Sequence, residues 1–437
     1  MRFREIIESP CGIRCLFDTL ELQSGYARKV LLDREMMTRP EDIADAYASL
    51  AEYIALVDAD RRKVEDMQFR LQGLRDIGGT LSSLAAGVVL DEVELFEIKH
   101  LAMLAESLAV GCGMLSVIDM LDPDGLRIGT FYLYDSYSAE LRRLRSRAEA
   151  DPDDPDLRDA VMAEEDRIKQ LLSERLRPYA ADLRSALQTL AGLDISLAMA
   201  LQVRREGLVL PMIGEETEIC GMFHPGIRAV LRQAGREFQP VDFQFRTGVP
   251  ATVIGANMGG KTVVLKTLCL IQHLFQFGFG IPAAAAVLTP FDAVHFCIGD
   301  EQDTRKGLSS FAAEMLRIDR MIAAADRGDR VLALVDEPAR TTNPVEGTAL
   351  VGALLERLSG CGNLALVLTT HYTVEHAGQC WRVCGLIPGS SGRKMDYRLV
   401  RTRHHEVPHE ALHIARELGV DARWIDLSDT LMKRKYE

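Results

Sequence analysis

The stretch TVIGANMGGKTVVLKTL, residues 252–268, constrains the fold more than any other part of the chain. Its first three residues, Thr252-Val253-Ile254, are apolar or β-branched and predict a short buried strand. The pattern G-x-x-x-x-G-K-T follows, and an apolar-periodic helix begins at the lysine. Glycines allow the backbone N–H groups of such a loop to face a phosphate, and the helix N-terminus adds partial positive charge. The stretch therefore predicts a phosphate-binding loop within an α/β domain.

This loop is predicted to hold the phosphates of ATP. We expect Lys261 to reach the β- and γ-phosphates and the Thr262 hydroxyl to bind Mg²⁺. The residues predicted to contact the nucleotide here are Gly255, Ala256, Asn257, Met258, Gly259, Gly260, Lys261, Thr262 and Val263.

Two later apolar runs end in side chains that suit the same site. VLALVDEPAR, residues 331–340, predicts a strand that ends at Asp336 and Glu337. Asp336 is expected to hold the metal, and Glu337 to orient or deprotonate the attacking water. NLALVLTTHY, residues 363–372, predicts a strand that brings His371 to the same sheet edge, where it can contact the γ-phosphate. The predicted catalytic residues are therefore Lys261, Glu337 and His371.

Length and composition set the class of protein. A chain of 437 residues indicates two or three domains. Its 64 acidic residues exceed its 51 Lys and Arg residues, which gives a net charge of −13 and does not favour nucleic-acid binding. The nine cysteines have no zinc or iron–sulfur spacing, and no apolar run reaches membrane-span length. We expect a cytoplasmic protein with reduced thiols and no membrane contact.

Residue composition and apolar periodicity change along the chain and suggest three regions. Residues 1–135 have helical periodicity, and residues 136–204 contain charged, heptad-like helices interrupted by DPDDP. We interpret the latter as an antiparallel helical arm with its tip near 151–156, the alternative being one kinked helix packed on the body. Residues 205–437 alternate short strands with helices. The expected fold is thus an all-α core with an arm, followed by an α/β phosphate-loop ATPase domain.

Five ordered motifs resemble the ATPase domain of the MutS family, an ABC-type ATPase. They are GANMGGKT, FGFGIPAAAA, GLSSFAAEM, DEPARTTNPVEG and TTHY. The entry segments GMFHPGI and FQPVDF, and the helical stretch SGYARKVLLDREMMTRPEDIADAY, extend the likeness over nearly the whole chain. By this resemblance the chain starts at about the helical core, so the mismatch-recognition domains are expected to be missing.

The resemblance implies further residue roles. Asn257 and Lys261 would contact phosphates, and Phe238 would stack on adenine, although it could equally be an ordinary core phenylalanine. Ser309, with Ser310, lies in the signature segment that in this family reaches the partner's nucleotide. The family likeness thus implies an ATPase that works as a homodimer or as a heterodimer with a second MutS-like chain.

The arm departs from what DNA binding requires. Its tip, EADPDDPDLRDA, has six acids and one arginine, whereas DNA-gripping arms present cations to phosphates. Arg142, Arg143, Arg145 and Arg147 lie further down and could contact DNA or simply form a solvated helix face.

The loop PARTTNP, residues 338–344, resembles instead a MutS-like subgroup that includes the reactivase subunits of adenosylcobalamin-dependent lysine 5,6-aminomutase. This likeness implies that the ATPase remodels a protein partner, plausibly such an aminomutase. The alternative is a DNA-binding MutS-like protein of mismatch repair or recombination.

HEALH, residues 409–413, matches the zinc-hydrolase motif H-E-x-x-H. The motif is short, and it lies in a tail that resembles the final helices of the MutS family. His404 and His405 offer no obvious third ligand. We therefore expect a structural segment, with a metalloprotease as the weaker alternative.

Overall fold

A computed structural model of the chain describes residues 1–255, 260–298, 310–386, 395–403, 412, 415–416 and 419–436. The chain divides into two compact units that do not follow sequence order. We call residues 1–19, 35–48 and 202–437 the sheet unit, and residues 20–34 and 49–201 the helical unit. The boundaries predicted from the sequence, at 135 and 204, stay a prediction.

The described helices fall into two groups along the chain. The first group precedes every strand and comprises α1 (Phe3–Ile6), α2 (Ile13–Phe17), α3 (Gly25–Asp33), α4 (Pro40–Ala59), α5 (Arg61–Leu71), α6 (Gly78–Ala86), α7 (Glu92–Ser107), α8 (Met114–Leu121), α9 (Ala139–Ala150), α10 (Pro155–Leu176) and α11 (Ala180–Glu206). The second group is interspersed with strands and comprises α12 (Pro225–Gln233), α13 (Lys261–Gln276), α14 (Ser310–Asp326), α15 (Pro344–Leu358) and α16 (Ala422–Tyr436).

The strands all lie in the sheet unit. They are β1 (Met212–Ile213), β2 (Thr217–Met222), β3 (Val241–Phe245), β4 (Ala251–Ile254), β5 (Ala285–Leu288), β6 (Ala293–Cys297), β7 (Val331–Val335), β8 (Leu364–Thr369), β9 (Gln379–Leu386) and β10 (Met395–Thr402). The prediction of an α/β C-terminal region is confirmed, and the helical N-terminal region agrees in part with the predicted all-α core.

The larger sheet has the strand order β10-β9-β4-β8-β7-β6. All of its pairs are parallel except the antiparallel pair β9–β10. Every residue of β4, β7 and β8 is buried, which explains why these strands are continuous apolar runs instead of alternating patterns. Because β4, β8 and β7 are consecutive parallel neighbours, their carboxyl ends meet at one edge of the sheet.

Helices cover both faces of this sheet. Alternate residues of β7, namely Val331, Ala333 and Val335, pack in one apolar cluster with residues of α14, α15 and β8. The residues between them point to the opposite face, and α13 also contacts β6, β7 and β8. The sheet is thereby held as a buried layer that fixes the positions of its strand ends.

A smaller sheet has the order β1-β5-β2-β3. Its β1–β5 pair is parallel, and the pairs β2–β5 and β2–β3 are antiparallel. Phe243 of β3 packs against Trp381 of β9 at 5.2 Å between ring centroids. The smaller sheet thus adjoins the edge of the larger one where β9 and β10 lie.

The helical unit is ordered by side-chain caps at its helix ends. Asp91 and Glu94 form a capping box at the start of α7, and Ser24 caps α3. Asp194 of α11 accepts hydrogen bonds from both backbone N–H groups of residues 23–24 and from the Ser24 hydroxyl. These bonds tie the start of α3 to a helix that is distant in sequence.

Helices α9 and α10 form a hairpin around the acidic break. Asp154 caps α10, and Pro155 occupies its first turn, where a proline needs no N–H donor. Leu141 and Leu144 of α9 and Leu157 of α10 are buried, and the two helices contact each other. The structure therefore contains two packed helices here and not one kinked helix.

Among the described residues, the helical stretch 155–206 is long and apolar enough to cross a membrane by length and composition alone. Within its most apolar window, 72% of the residues are buried inside the protein. A buried core helix passes the same test, so this single stretch is weak evidence for a membrane span.

Candidate nucleotide-binding site

The phosphate loop begins where β4 ends. Gly255 has φ 152° and Gly260 has φ 80°, both in regions that disfavour side chains. A Cβ on Gly255 would lie 3.1 Å from the Cβ of Val383 on the neighbouring strand. These two glycines therefore allow the turn between the buried strand and α13. Ala256, Asn257, Met258 and Gly259 lie outside the described residues.

Lys261 is the first residue of α13 and is almost fully buried, with 5% of its surface exposed. Its ammonium group donates to the Gly255 carbonyl at 2.9 Å and lies 3.3 Å from Glu337 Oε1. A buried cation needs such partners, because removal from water is costly for an unpaired charge. The fold places Lys261 and Glu337 side by side, and their catalytic roles stay a prediction.

The side chain of Asp336, which follows β7, contacts both α13 and the end of β8. Its Oδ2 accepts from the Thr262 hydroxyl at 2.8 Å, and its Oδ1 accepts from the Thr369 hydroxyl at 2.7 Å. The backbone N–H of Glu337 donates to the Thr369 oxygen at 2.9 Å. Thr369 thus orients both members of the Asp-Glu pair, a role that the sequence analysis did not assign although TTHY contains this residue.

The loop after Asp336 has an unusual backbone. Glu337 has φ 45° and Ala339 has φ 60°, conformations that are costly for residues other than glycine. The Ala339 N–H donates to Glu314 at 3.2 Å, and its carbonyl accepts from the Tyr372 hydroxyl at 2.9 Å. Glu314 and Tyr372 therefore hold the strained loop from two sides.

His371 follows β8 and is half-buried beside Tyr372, with 4.1 Å between ring centroids. Burial lowers the pKa of His371; the Glu337 carboxylate opposes this shift, and the charge of Lys261 adds to it. The charges of Glu337 and Lys261 therefore both act on the protonation of His371. The structure thus brings Lys261, Asp336, Glu337 and His371 to one sheet edge.

A cavity of about 260 Å³ lies beside the start of α13. Phe238, Tyr397, Gly260 and Val263 are among its lining residues. Gln239 holds the wall in place, because its side chain accepts from the Tyr397 N–H and donates to Asp396, each at 2.9 Å. Phe238 is therefore on a cavity wall and not in the closed core. Tyr397 was missed from the sequence, since its place depends on a long-range strand pairing.

Other predicted site residues lie beyond the described residues. This applies to Ser309, and Ser310 is described only as the first residue of α14. It also applies to His404, His405, His409, Glu410 and His413, so the predicted tail motif is not described. Leu412 within that motif has helical backbone.

A buried strand, a loop with glycines, a helix that begins with lysine and an Asp-Glu pair after another parallel strand of the same sheet define the phosphate-loop class of α/β proteins. Within this class, residues 251–378 match the family model described as MutS domain V. The chain therefore carries a MutS domain V and has homologues among MutS2 and MutS proteins.

Three curated relatives illustrate the likeness. A protein named Endonuclease MutS2 from Thermomicrobium roseum is 38% identical over 309 residues, which cover 64% of this chain and 38% of the relative. Endonuclease MutS2 from Thermus thermophilus is 35% identical over 212 residues, covering 48% and 27% of the two chains. DNA mismatch repair protein MutS from Dinoroseobacter shibae is 32% identical over 216 residues, covering 48% and 24%. The chain thus spans well under two thirds of the length of these relatives.

Proposed function

We propose that this chain is a Mg²⁺-dependent ATPase of the MutS type. One observation carries the proposal: Lys261, Thr262, Asp336 and Glu337 lie in a single cluster of hydrogen bonds and ion pairs at the sheet edge. Their chemistry is complementary to a metal–phosphate substrate, with a cation, a hydroxyl and two carboxylates. The MutS domain V match over the same residues supports the assignment.

Each residue has a distinct task in this proposal. Lys261, which contacts the Gly255 carbonyl and Glu337 Oε1, binds phosphate oxygens. Thr262 and Asp336 form an all-oxygen donor set, which suits a hard cation such as Mg²⁺. The ion, when bound, supplies positive charge that stabilises the phosphate oxygens.

Glu337 is the general base, and Thr369 fixes its backbone. Once the Lys261 ammonium engages phosphate, the Glu337 carboxylate is free to accept a proton from water. His371 is kept neutral because burial lowers its pKa, so one ring nitrogen can accept and the other can donate. A neutral imidazole suits a residue that contacts the terminal phosphate. Because His371 follows β8, loss of this phosphate on hydrolysis would change a contact at the end of that strand.

We further propose that the adenine ring occupies the cavity lined by Phe238 and Tyr397. A dimer, of like or unlike chains, completes each site in the proposal, with Ser309 and Ser310 supplied by the partner. The proposal of a dimer is based on the family resemblance alone, because Ser309 is outside the described residues.

DNA is the favoured target of the ATPase cycle. The relatives carry the names Endonuclease MutS2 and DNA mismatch repair protein MutS, which refer to an endonuclease and to DNA mismatch repair. Remodelling of a lysine 5,6-aminomutase, our first expectation from the sequence, has no support among these relatives. The comparisons therefore favour the alternative that we drew from the sequence.

The helical hairpin favours a second candidate, a protein partner. Arg145 is engaged by Asp135 and Glu165, each at 2.7 Å, and Arg143 pairs with Glu140 at 2.8 Å. Two of the four arginines considered for DNA binding thus already have carboxylate partners, and the tip is acidic. If the protein binds DNA, the acidic hairpin tip is not expected to contact the phosphates, because both are negatively charged.

ATP turnover with and without duplex and branched DNA distinguishes the two candidates. Stimulation by DNA that falls steeply between about 50 mM and about 200 mM salt supports the DNA-directed ATPase. An Arg142→Ala/Arg147→Ala variant tests the exposed arginines of α9, and Arg61→Ala/Arg62→Ala on α5 is the matched control. Turnover indifferent to DNA at both salt concentrations would overturn the DNA assignment and favour the protein partner.

A further inference from the structure

A cluster of two cysteines and one histidine lies in the sheet unit, away from the nucleotide site. Cys11 precedes α2, whereas Cys269 and His273 lie one turn apart on α13. The two sulfurs and one ring nitrogen lie within 4.8 Å of one another, and all three residues are buried. Cys269 is eight residues from Lys261, or about 12 Å along the helix axis, so the cluster is separate from the phosphate-binding residues.

One ring nitrogen of the histidine in this cluster has no hydrogen-bond partner among the described residues. Its Nδ1 lies 2.9 Å from the Cys269 carbonyl oxygen and 3.5 Å from the Cys269 sulfur. Because a carbonyl oxygen only accepts, Nδ1 carries the proton and Nε2 the lone pair. Within the described part of the chain, Nε2 is buried without a hydrogen-bond partner, and only 3% of His273 is exposed.

This arrangement matches the surroundings of histidines that bind metals. Such histidines commonly donate one ring N–H to a backbone carbonyl, which directs the lone pair of the other nitrogen to the metal. The lone pair of His273 and two buried sulfurs are the donors that soft d¹⁰ cations prefer, while Mg²⁺ prefers oxygen. Ligand atoms around such an ion lie about 3.3 to 3.8 Å apart. The ring nitrogen at 3.5 Å from the Cys269 sulfur is Nδ1, so metal binding requires side-chain rotations that bring Nε2 and the two sulfurs to this spacing.

We propose that Cys11, Cys269 and His273 bind a thiophilic d¹⁰ cation, Zn²⁺ or Cu⁺, and that this ion fastens the phosphate-loop helix α13 to the N-terminal segment. The segment is already held close by a hydrogen-bond contact between the Cys11 carbonyl and His224 Nε2 at 3.0 Å. The site goes beyond the proposed ATPase function and does not depend on it. Metal binding is therefore measured without nucleotide.

The test uses the full chain, purified under reducing conditions, stripped of metal and titrated separately with Zn²⁺ and with Cu⁺ against a chromophoric competitor. We expect one equivalent of one of these ions to bind per chain and to raise Tm by about 5 °C or more. The ion that binds more tightly in these titrations is the one that the site prefers. The test variants are Cys269→Ala, Cys11→Ala and His273→Gln, and exposed cysteines provide the matched controls Cys112→Ala and Cys220→Ala.

Cysteine-to-alanine changes suit this purpose because a buried free cysteine packs as a small hydrophobic residue. Each test variant should lose stoichiometric binding and the rise in Tm, whereas both controls keep them. Circular dichroism of the metal-free variants checks that they fold. Failure of both ions to bind the folded wild type overturns the proposal, as does binding that survives in all three folded test variants. A Cys11–Cys269 disulfide in the freshly purified protein, found by thiol counting and mass spectrometry, would also overturn it.

Discussion

The Thr262 hydroxyl donates a hydrogen bond to Asp336 across 74 residues of sequence, at 2.8 Å. This contact joins the helix that follows the phosphate loop to the end of a strand two places away in the sheet. It is possible because β4, β8 and β7 run parallel and end at the same edge. The proposed Mg²⁺ site is thus a direct consequence of strand order.

Replacement of Lys261 by alanine is expected to weaken ATP binding by about 10- to 100-fold. The change removes a charged hydrogen-bond donor to phosphate, an interaction of about 1.5 to 3 kcal/mol. Calorimetric titration with a slowly hydrolysed ATP analogue measures the loss. Lys266→Ala, on the same helix, is the control and should bind as wild type does. Equal affinities of wild type and Lys261→Ala would remove Lys261 from the nucleotide site.

Replacement of Asp336 by asparagine should raise the Mg²⁺ concentration required for ATP binding by at least about tenfold. The amide is neutral, and it cannot accept at both positions where Thr262 and Thr369 now donate. A Mg²⁺ titration at constant ATP, followed by a fluorescent nucleotide analogue, checks this. Asp319→Asn, an exposed change on α14, should leave the Mg²⁺ requirement unaltered. An unchanged requirement in Asp336→Asn would contradict its role as metal holder.

Phe238→Ala is expected to reduce affinity for ATP by roughly 5- to 100-fold, since stacking of an aromatic ring on a base contributes about 1 to 3 kcal/mol. Binding of inorganic triphosphate, which has no base, should be unaffected. This pair of measurements separates base recognition from a general loss of folding. Phe69→Ala, at a residue that is 73% exposed, is the control. A parallel loss of triphosphate binding would argue that Phe238 is only structural.

Tyr372→Phe is expected to destabilise the folded chain by about 1 to 3 kcal/mol, because the buried Ala339 carbonyl loses its donor. It should also slow ATP hydrolysis while ATP affinity stays the same, since Ala339 belongs to the strained loop after Glu337. Denaturant unfolding and steady-state turnover give the two values. Tyr132→Phe, at an exposed residue, is the comparison. Loss of stability with normal turnover would mean that the loop needs no support from Tyr372.

Acid should destabilise the protein partly through His371. Burial lowers its pKa below the ordinary value of 6.5, so the unfolded chain binds this proton more readily than the folded chain does. Stability is therefore retained above about pH 6.5 and lost as pH falls through the lowered value. Burial lowers the pKa of His224 and His295 in the same direction.

His371→Asn removes one of these three contributions, so its Tm should fall less than that of wild type between about pH 7.5 and about pH 5.5. Thermal unfolding of both proteins at the two pH values checks this. A steeper fall in the variant would contradict the assigned direction of the pKa shift.

Local patterns predicted the elements of the site but not all of its contacts. The buried strands β4, β7 and β8 are continuous apolar runs, and the residues at their ends are polar, so Lys261, Asp336, Glu337 and His371 could be assigned from the sequence. Thr369, Glu314 and Tyr397 could not, because their roles depend on which strand or helix lies beside them. Glu314 is a member of the GLSSFAAEM motif, yet only the fold shows that it accepts from the Ala339 N–H.

The same limit applies to the division of the chain. Segments 1–19 and 35–48 are helical in pattern, and the fold groups them with the sheet unit. Tyr47, for instance, donates to the carbonyl of Phe279 at 2.8 Å, a contact 232 residues apart. Helical periodicity indicates that such a segment forms a helix, but it carries no information about which distant residues the helix packs against.

We propose that the cluster of Lys261, Asp336 and Glu337 hydrolyses ATP. The decisive measurement is phosphate release from ATP by the purified protein, compared between wild type and Glu337→Gln, with Glu346→Gln as the matched control on an exposed helix face. We predict Mg²⁺-dependent turnover in wild type and in the control. In Glu337→Gln, turnover should fall by about 100-fold or more while ATP still binds, because only the general base is lost. Absence of turnover by the wild-type protein, or equal turnover by Glu337→Gln, would refute this proposal.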